Sequence, residues 1–496
     1  MNPNSEQDFI EKLVTGIPGY DLLSDGGLPV GRLTLVVGTA GSGKTVFACQ
    51  YIAEGIKQGE NGVFVTLEES PQYIRKNMRG FGWDIRRWEE EGKWAFVDAS
   101  RQLEDKPLVS GEYDFDSLLA RIRYAIAQVN AVRVAVDCLG AIFTYTSDKN
   151  QVRNDLYLLA SSLRQIDSTI VVTCERNQEY GEISSYGVEE FVADNVIILR
   201  NVLVQEKRRR TIEILKYRGS CHHQGEFPFS ILPDKGMVII PLLTADTTED
   251  DTFDSRITSG NTELDAMCGG GFFRNSITLV SGATGTGKTL LATEFMSAGV
   301  RRHEQCLLFA FEENRKLLLR NTRGWNMNLR QMEREGNLRV VCRHPKSSRL
   351  EEHLIRMQET IEEFQPHRVA IDSLSALEWI STPGAFREFL VTLNAMVRRQ
   401  KITALYTTTA PTLIGGTSIS EADIYTTTDT IILLRYVEVY GEIRRGITVL
   451  KMRGSEHDKQ IREFTIDTRG MHIGRAFRNI TGILVGNPVS SIYRPR

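Results

Sequence analysis

Gly38-Thr39-Ala40-Gly41-Ser42-Gly43-Lys44-Thr45 and Gly282-Ala283-Thr284-Gly285-Thr286-Gly287-Lys288-Thr289 spell one eight-residue pattern twice, with the two lysines 244 residues apart in a chain of 496. Glycines at this spacing let bare backbone N–H groups close around phosphate oxygens in front of a helix N-terminus. The lysine reaches the β- and γ-phosphates, and the hydroxyl after it can hold Mg²⁺. The chain is therefore expected to bind ATP with Mg²⁺ at two places.

Two kinds of carboxylate accompany the loops. Asp137 and Asp372 each end an apolar run, Val134-Ala-Val-Asp137 and Val369-Ala-Ile-Asp372, where a carboxylate can hold Mg²⁺. The expected metal set is Thr45 with Asp137, and Thr289 with Asp372. Glu68-Glu69 and Glu312-Glu313 also follow apolar strands. Acids at the open end of a parallel sheet sit where ligands bind, and one of each pair can orient or deprotonate a nucleophile.

Phosphoryl transfer gains from a cation on the γ-phosphate, about 10³–10⁵ in rate for an arginine finger. Lys216 with Arg218, and Lys451 with Arg453, are spaced by two on short alternating strands, so each pair shares a face. His222 and His457 follow at matching positions. Spacing alone does not separate a pair that reaches a nucleotide from a solvated basic strand face.

The elements that must position these groups recur in the same order. Arg32-Leu-Thr-Leu-Val-Val37 and Ser276-Ile-Thr-Leu-Val280 read as buried strands running into the two loops. Phe47, Tyr51 and Ile52, and then Leu291, Phe295 and Ala298, fall at helical spacing behind them. Val63–Glu69 answers Leu307–Glu313 at the same offset of 244, and later landmarks recur at 235, a net loss of nine residues in the second half. Asp194-Asn-Val-Ile-Ile-Leu199 answers Asp429-Thr-Ile-Ile-Leu-Leu434, and Leu215–Ser220 answers Leu450–Ser455. Repetition on this scale predicts tandem domains, at 1–243 and 257–496 with an acidic linker at 244–256. Strands alternating with helices predict an α/β fold in each, a mainly parallel central sheet flanked by helices.

Bulk properties narrow the function. A formal charge of −3 and a pI near 6.3 show no basic excess, so neither a nucleic-acid partner nor a RecA-like nucleic-acid motor is expected. No apolar run nears the roughly 18 residues of a membrane span. The seven cysteines are scattered without a C-x-x-C pair, which suits free thiols in a reducing cytoplasm.

The chain resembles one family over nearly its whole length: KaiC, the circadian-clock ATPases and autokinases, double-domain members of the RecA-like P-loop group. Tyr186-Gly-Val-Glu-Glu-Phe-Val-Ala-Asp-Asn-Val196 is similar to the family's first domain. Cys268-Gly-Gly-Gly-Phe-Phe273, the second phosphate loop, Ala370-Ile-Asp-Ser-Leu-Ser-Ala376 and Lys451-Met-Arg-Gly-Ser-Glu-His-Asp-Lys459 are similar to its second. The resemblance implies two tandem RecA-like domains in a double-ring homohexamer with ATP between neighbouring subunits. It implies that Glu68, Glu69, Glu312 and Glu313 are catalytic. It also implies that Lys216, Arg218 and His222, and likewise Lys451 and Arg453, act on the adjacent subunit's nucleotide. The first ring would hydrolyse ATP. The second would transfer the γ-phosphoryl group to its own Ser/Thr residues and take it back.

The two halves differ where acceptors would stand. The second carries Ser418-Ile-Ser420-Glu421-Ala-Asp-Ile-Tyr425-Thr426-Thr427-Thr428-Asp429, whereas the first has Glu190 and Phe191 opposite Tyr425 and Thr426. Clock members of the family carry adjacent Ser-Thr acceptors where this chain has Tyr425-Thr426. Thr426 is thus the expected principal acceptor, with Tyr425 and Ser420 as further candidates. Only eight residues follow Pro488, where those members extend into a tail that binds KaiA, so KaiA-driven activation is not expected. The segment 101–113, where the family docks KaiB, differs in detail and leaves a KaiB-like partner open. An ATP-dependent scaffold that does not phosphorylate itself is the alternative.

Overall fold

A computed structural model of the chain describes residues 10–100, 115–143, 154, 157–158, 161–163, 165–183, 193–204, 207–240, 255–409, 424–439, 441–478, 480–481 and 489–490. The chain divides into two compact units, Met1–Pro241 and Leu242–Arg496. The expected linker at 244–256 lies outside the described residues as far as 254.

In the first unit the central strands are β1 (Leu33–Gly38), β2 (Asn61–Thr66), β3 (Trp94–Asp98), β4 (Ala131–Asp137), β5 (Thr169–Glu175), β6 (Asn195–Val204), β7 (Lys207–Tyr217), β8 (Phe227–Leu232) and β9 (Gly236–Ile239). They form one nine-stranded sheet in the order β9-β8-β7-β6-β1-β5-β4-β2-β3. From β6 to β3 every pairing is parallel, and β6 to β9 form an antiparallel meander.

The second unit repeats this with β10 (Ile277–Gly282), β11 (Cys306–Ala310), β12 (Leu338–Cys342), β13 (Arg368–Asp372), β14 (Thr403–Thr409), β15 (Thr430–Val439), β16 (Glu442–Met452), β17 (Arg462–Asp467) and β18 (Gly470–Ala476). Its order, β18-β17-β16-β15-β10-β14-β13-β11-β12, matches the first strand for strand. The strands leading into the phosphate loops, β1 and β10, are buried along their whole length between parallel neighbours. Burial on both faces explains why they read as continuous apolar runs rather than alternating ones.

Helix α1 (Lys44–Lys57) leaves the first loop and α2 (Lys288–Val300) the second. Gly43 and Gly287, at φ of 106° and 105°, cap these helices in a left-handed conformation that favours glycine. Each helix is fixed to its sheet by a buried arginine. Arg133 donates to the carbonyls of Thr15 at 3.0 Å and Tyr51 at 2.8 Å, and pairs with Glu60 at 2.6 Å. Arg368 does the same to Thr258 at 2.8 Å and Phe295 at 3.2 Å, and pairs with Glu304. A Cβ on Gly55 would lie 2.4 Å from the Arg133 side chain, and one on Gly299 2.7 Å from that of Arg368. These two helix-interior glycines make room for a guanidinium.

The other face of each helix meets the antiparallel meander through a buried polar residue, and there the units differ. In the first, Gln50 Oε1 accepts from the Met237 N–H at 2.6 Å while its Nε2 donates to the Met237 carbonyl at 3.0 Å. In the second, Glu294 Oε1 accepts from the Met471 N–H at 2.9 Å, and Asn261 Nδ2 donates to the Met471 carbonyl at 2.6 Å. Glu294 Oε2 is buried without a hydrogen-bond partner. Burial pushes the Glu294 carboxyl up to about 7, against the lowering influence of the Met471 N–H, Asn261, His472 and Arg301. His472 in turn lies 2.9 Å from Asp467.

A carboxyl held protonated in the native state and released on unfolding makes stability fall as pH rises. For Glu294 the window runs from about 4.5 to about 7, and the full penalty is present above it. Glu294→Gln, which copies Gln50, should therefore raise the second unit's unfolding midpoint more at pH 8 than at pH 5. Thermal melts at the two pH values check this, and equal shifts at both would contradict it.

Candidate functional site

Both phosphate loops open at the carboxyl ends of parallel strands, the usual ligand position in such sheets. Lys44 is anchored by its own loop, with Nζ donating to the carbonyls of Gly38 at 3.0 Å and Thr39 at 3.2 Å. Lys288 Nζ donates likewise to Gly282 at 2.9 Å and Ala283 at 3.0 Å. Burial lowers the Lys288 ammonium below its ordinary range, partly opposed by Glu312 and Asp372. Gly41 and Gly43, and Gly285 and Gly287, all adopt positive φ, which turns the loops into cradles lined by N–H groups.

The predicted metal residues come together in each unit. Thr45 Oγ1 donates to Asp137 Oδ2 at 2.8 Å, and Thr289 Oγ1 to Asp372 Oδ2 at 2.7 Å. The other oxygen of each aspartate accepts from a hydroxyl on the adjacent strand, Thr173 on Asp137 and Thr407 on Asp372. Burial raises both carboxyls while these hydroxyls pull them back. This donor set fits a hard divalent cation: one hydroxyl and one carboxylate already adjacent at the mouth of a phosphate cradle. The buried Ser42 Oγ has no hydrogen-bond partner, a further polar atom in the first cradle.

The paired glutamates divide into two roles. Asn77 Nδ2 approaches Glu69 Oε2 at 3.5 Å, and Asn321 Nδ2 donates to both oxygens of Glu313 at 3.1 and 3.2 Å. The second acid of each pair is therefore held by the helix that follows it, Pro71–Met78 or Arg315–Gly324. The first acid is held differently in the two units. Glu312 accepts from Ser373 Oγ and, at 3.4 Å, from Thr409 Oγ1. In the first unit Cys138 and Glu175 stand at those positions. Glu68 is raised by partial burial, then by the charges of Glu175 and Asp137, with Lys44 opposing. Glu313 is raised by partial burial and Asp372.

The basic pairs hold the segment in front of β6 and β15. Lys216 Nζ donates to the Ala193 carbonyl at 2.8 Å, and Arg218 pairs with Asp194 at 3.5 Å. Lys451 Nζ donates to the carbonyls of Tyr425 at 2.9 Å and Thr428 at 2.8 Å, while Arg453 Nη2 donates to that of Thr426 at 2.7 Å. His222 is half-buried with its ring 6.4 Å from that of Tyr217. His457 Nδ1 is buried without a hydrogen-bond partner.

Residues 424–427 form a helical turn on which Thr426 is exposed and Tyr425 half-buried. The Tyr425 hydroxyl lies 3.4 Å from Ser281 Oγ on β10. Thr427 and Thr428 donate to backbone carbonyls of the same turn, at 3.1 and 3.5 Å. Ser420, Glu190 and Phe191 lie outside the described residues.

Sequence reasoning missed Thr173, Thr407, Ser373, Asn77, Asn321 and Glu175. The asparagines had a signal, since they recur at the same offset of 244 as the loops. The threonines had none in sequence: only the strand register, Thr173 beside Val36 and Thr407 beside Val280, shows them at equivalent places in the two sheets. Glu175 had none, because its counterpart, Thr409, is a different residue.

Two phosphate cradles, each with a strand-end aspartate on the hydroxyl that follows its lysine, define a tandem P-loop ATPase of RecA-like architecture. A family model described as "ATPase: KaiC" matches residues 13–244 and again 257–477, and the chain belongs to that family. It is 64% identical over 486 residues to the circadian clock protein KaiC3 of Synechocystis sp. (strain ATCC 27184 / PCC 6803 / Kazusa), covering 98% of this chain and 96% of the relative. It is 49% identical over 488 residues to the circadian clock oscillator protein KaiC of Synechococcus elongatus (strain ATCC 33912 / PCC 7942 / FACHB-805), covering 98% and 93%. No helix among the described residues is long and apolar enough to cross a membrane.

Outer hydroxyls that orient a metal-binding carboxylate typically contribute about 10–100-fold to metal affinity. Thr407→Val should therefore raise the Mg²⁺ concentration needed for nucleotide binding at the second loop by about tenfold, and Thr173→Val should do so at the first. Nucleotide retention against Mg²⁺ concentration in the full chain measures this.

Proposed function

We propose that the first domain, residues 1–243, hydrolyses ATP and that the second, 257–496, phosphorylates and dephosphorylates itself on Thr426, with Ser420 and Tyr425 as further acceptors. The observation that carries this reading is the grip of Lys451 and Arg453 on the turn 424–427, which presents the exposed Thr426 beside two cations. A γ-phosphate near those cations is also near the acceptor. As the resemblance to the family implies, the nucleotide this pair serves would belong to an adjacent subunit, in a homohexamer with ATP at the boundaries.

Lys44 and Lys288 neutralise the phosphates within the cradles. Thr45 with Asp137, and Thr289 with Asp372, would hold Mg²⁺, which offsets the charge developing on the β- and γ-oxygens. In the second domain Glu312 accepts the Thr426 hydroxyl proton as Oγ bonds to the γ-phosphorus. The bond to the β–γ bridging oxygen breaks, and ADP departs with its electron pair. Run backwards, the same groups return the phosphoryl to ADP. In the first domain water replaces the hydroxyl, Glu68 or Glu69 takes the proton, and inorganic phosphate leaves.

A KaiB-like partner and a role in clock or other signalling are compatible with this reading. Cytoplasmic residence fits the five buried cysteines, Cys49, Cys138, Cys174, Cys268 and Cys306.

Intact mass after incubation with Mg·ATP should rise by whole phosphate units, and Thr426→Ala should remove most of the gain. Glu312→Gln should slow incorporation by about 10²–10⁴, the usual range for a lost general base, with ATP still bound. No gain in the unsubstituted chain would leave an ATPase scaffold, and turnover stimulated manyfold by DNA would favour a nucleic-acid motor.

A further inference from the structure

Glu175 ends β5 directly opposite Gly38, the glycine that opens the first phosphate loop. The equivalent place in the second unit, opposite Gly282, is held by Thr409. Glu175 Oε1 lies 3.8 Å from Lys44 Nζ, the ammonium that belongs to the β- and γ-phosphates. It is also the strongest neighbouring charge acting on Glu68. The carboxylate thus lies beside the lysine and within the electrostatic reach of the first acid of the glutamate pair, half-exposed at the mouth of the cradle.

A carboxylate in that place would repel a γ-phosphate at contact distance. The species that relieves the repulsion is a water molecule, which donates to the carboxylate and turns a lone pair toward phosphorus. Thr409 offers no such charge, and its hydroxyl points instead to Glu312 at 3.4 Å. We propose that Glu175 is a water-positioning carboxylate of the first site, and that this position sets water rather than a protein hydroxyl as the phosphoryl acceptor there.

Of the two protons on the attacking water, one is held by Glu175 in a hydrogen bond and the other passes to Glu68. The water oxygen bonds to the γ-phosphorus, the bond to the β–γ bridging oxygen breaks, and ADP leaves with the electron pair. Products are ADP, inorganic phosphate and one proton.

This deepens the reading of the first domain as a hydrolase, and the test does not depend on self-phosphorylation. Phosphate release and ATP affinity are measured in the full chain carrying Lys288→Ala, so that turnover reports the first site. Glu175→Gln, equal in shape but uncharged, should lower kcat at least tenfold with ATP affinity unchanged or tighter, because Lys44 loses a competing counter-ion. Glu175→Asp should recover part of the rate. Glu175→Gln at the parental rate overturns the proposal, as does loss of ATP binding and rate together, which would mark a structural role. If the Lys288→Ala parent binds ATP but releases no phosphate, the hydrolase reading itself falls. The converse variant, Thr409→Glu in a Lys44→Ala chain, should raise phosphate release from the second site several-fold. No rise in a variant that still binds ATP overturns the claim that this position chooses the acceptor.

Discussion

The hydrogen bond from the hydroxyl at the start of each phosphate-loop helix to the aspartate at the end of a neighbouring strand joins the two halves of each site. Thr45 with Asp137, and Thr289 with Asp372, fasten helix to sheet at 2.8 and 2.7 Å. Each aspartate is fastened in turn by a threonine on the intervening strand. A buried carboxylate is costly unless its oxygens are satisfied. Here all of the satisfying groups come from elements that also shape the cradle. The loop helix and the metal position are thereby joined.

Further along each helix, on its sheet side, the arginines at 133 and 368 perform the matching task. A fully buried guanidinium is tolerated because it spends most of its donors on backbone carbonyls and one glutamate, with Arg368 Nη2 left without a hydrogen-bond partner. Each helix is thereby tied at two points to a single strand. Donors already arranged around a ligand position are the form of electrostatic support that costs least when charge moves.

Much of this was legible in the residues alone. The loops, the strand-end aspartates and the parallel sheet follow from local rules: glycines needing positive φ, apolar runs needing burial on both faces, and landmarks recurring at a constant offset. What stayed hidden depends on contacts between distant strands. Thr173 and Thr407 look like ordinary strand threonines until the register places them beside an aspartate. Arg133 and Arg368 look like surface cations until Gly55 and Gly299 are seen to leave space for them. The antiparallel meander was less visible than the parallel strands, since a chain alternating strand and helix gives no hint of which edge is extended by hairpins. The division of labour within each glutamate pair left only the recurrence of Asn77 at Asn321 in the sequence, and the bonds that make it show in the fold.

At the sites, several differences between the halves are single side chains in a shared strand order: Gln50 against Glu294, Cys138 against Ser373, Glu175 against Thr409. The hold on residues 424–427 is of another kind. Lys451 and Arg453 reach the turn through main-chain carbonyls, with Arg453 also 3.9 Å from Asp429 beyond it, and a carbonyl is the same whatever residue bears it. The clamp is therefore blind to the identity of what it displays. A serine can thus stand for the tyrosine within the turn, or a hydroxyl move along it by a residue, while the grip on its main chain stays intact.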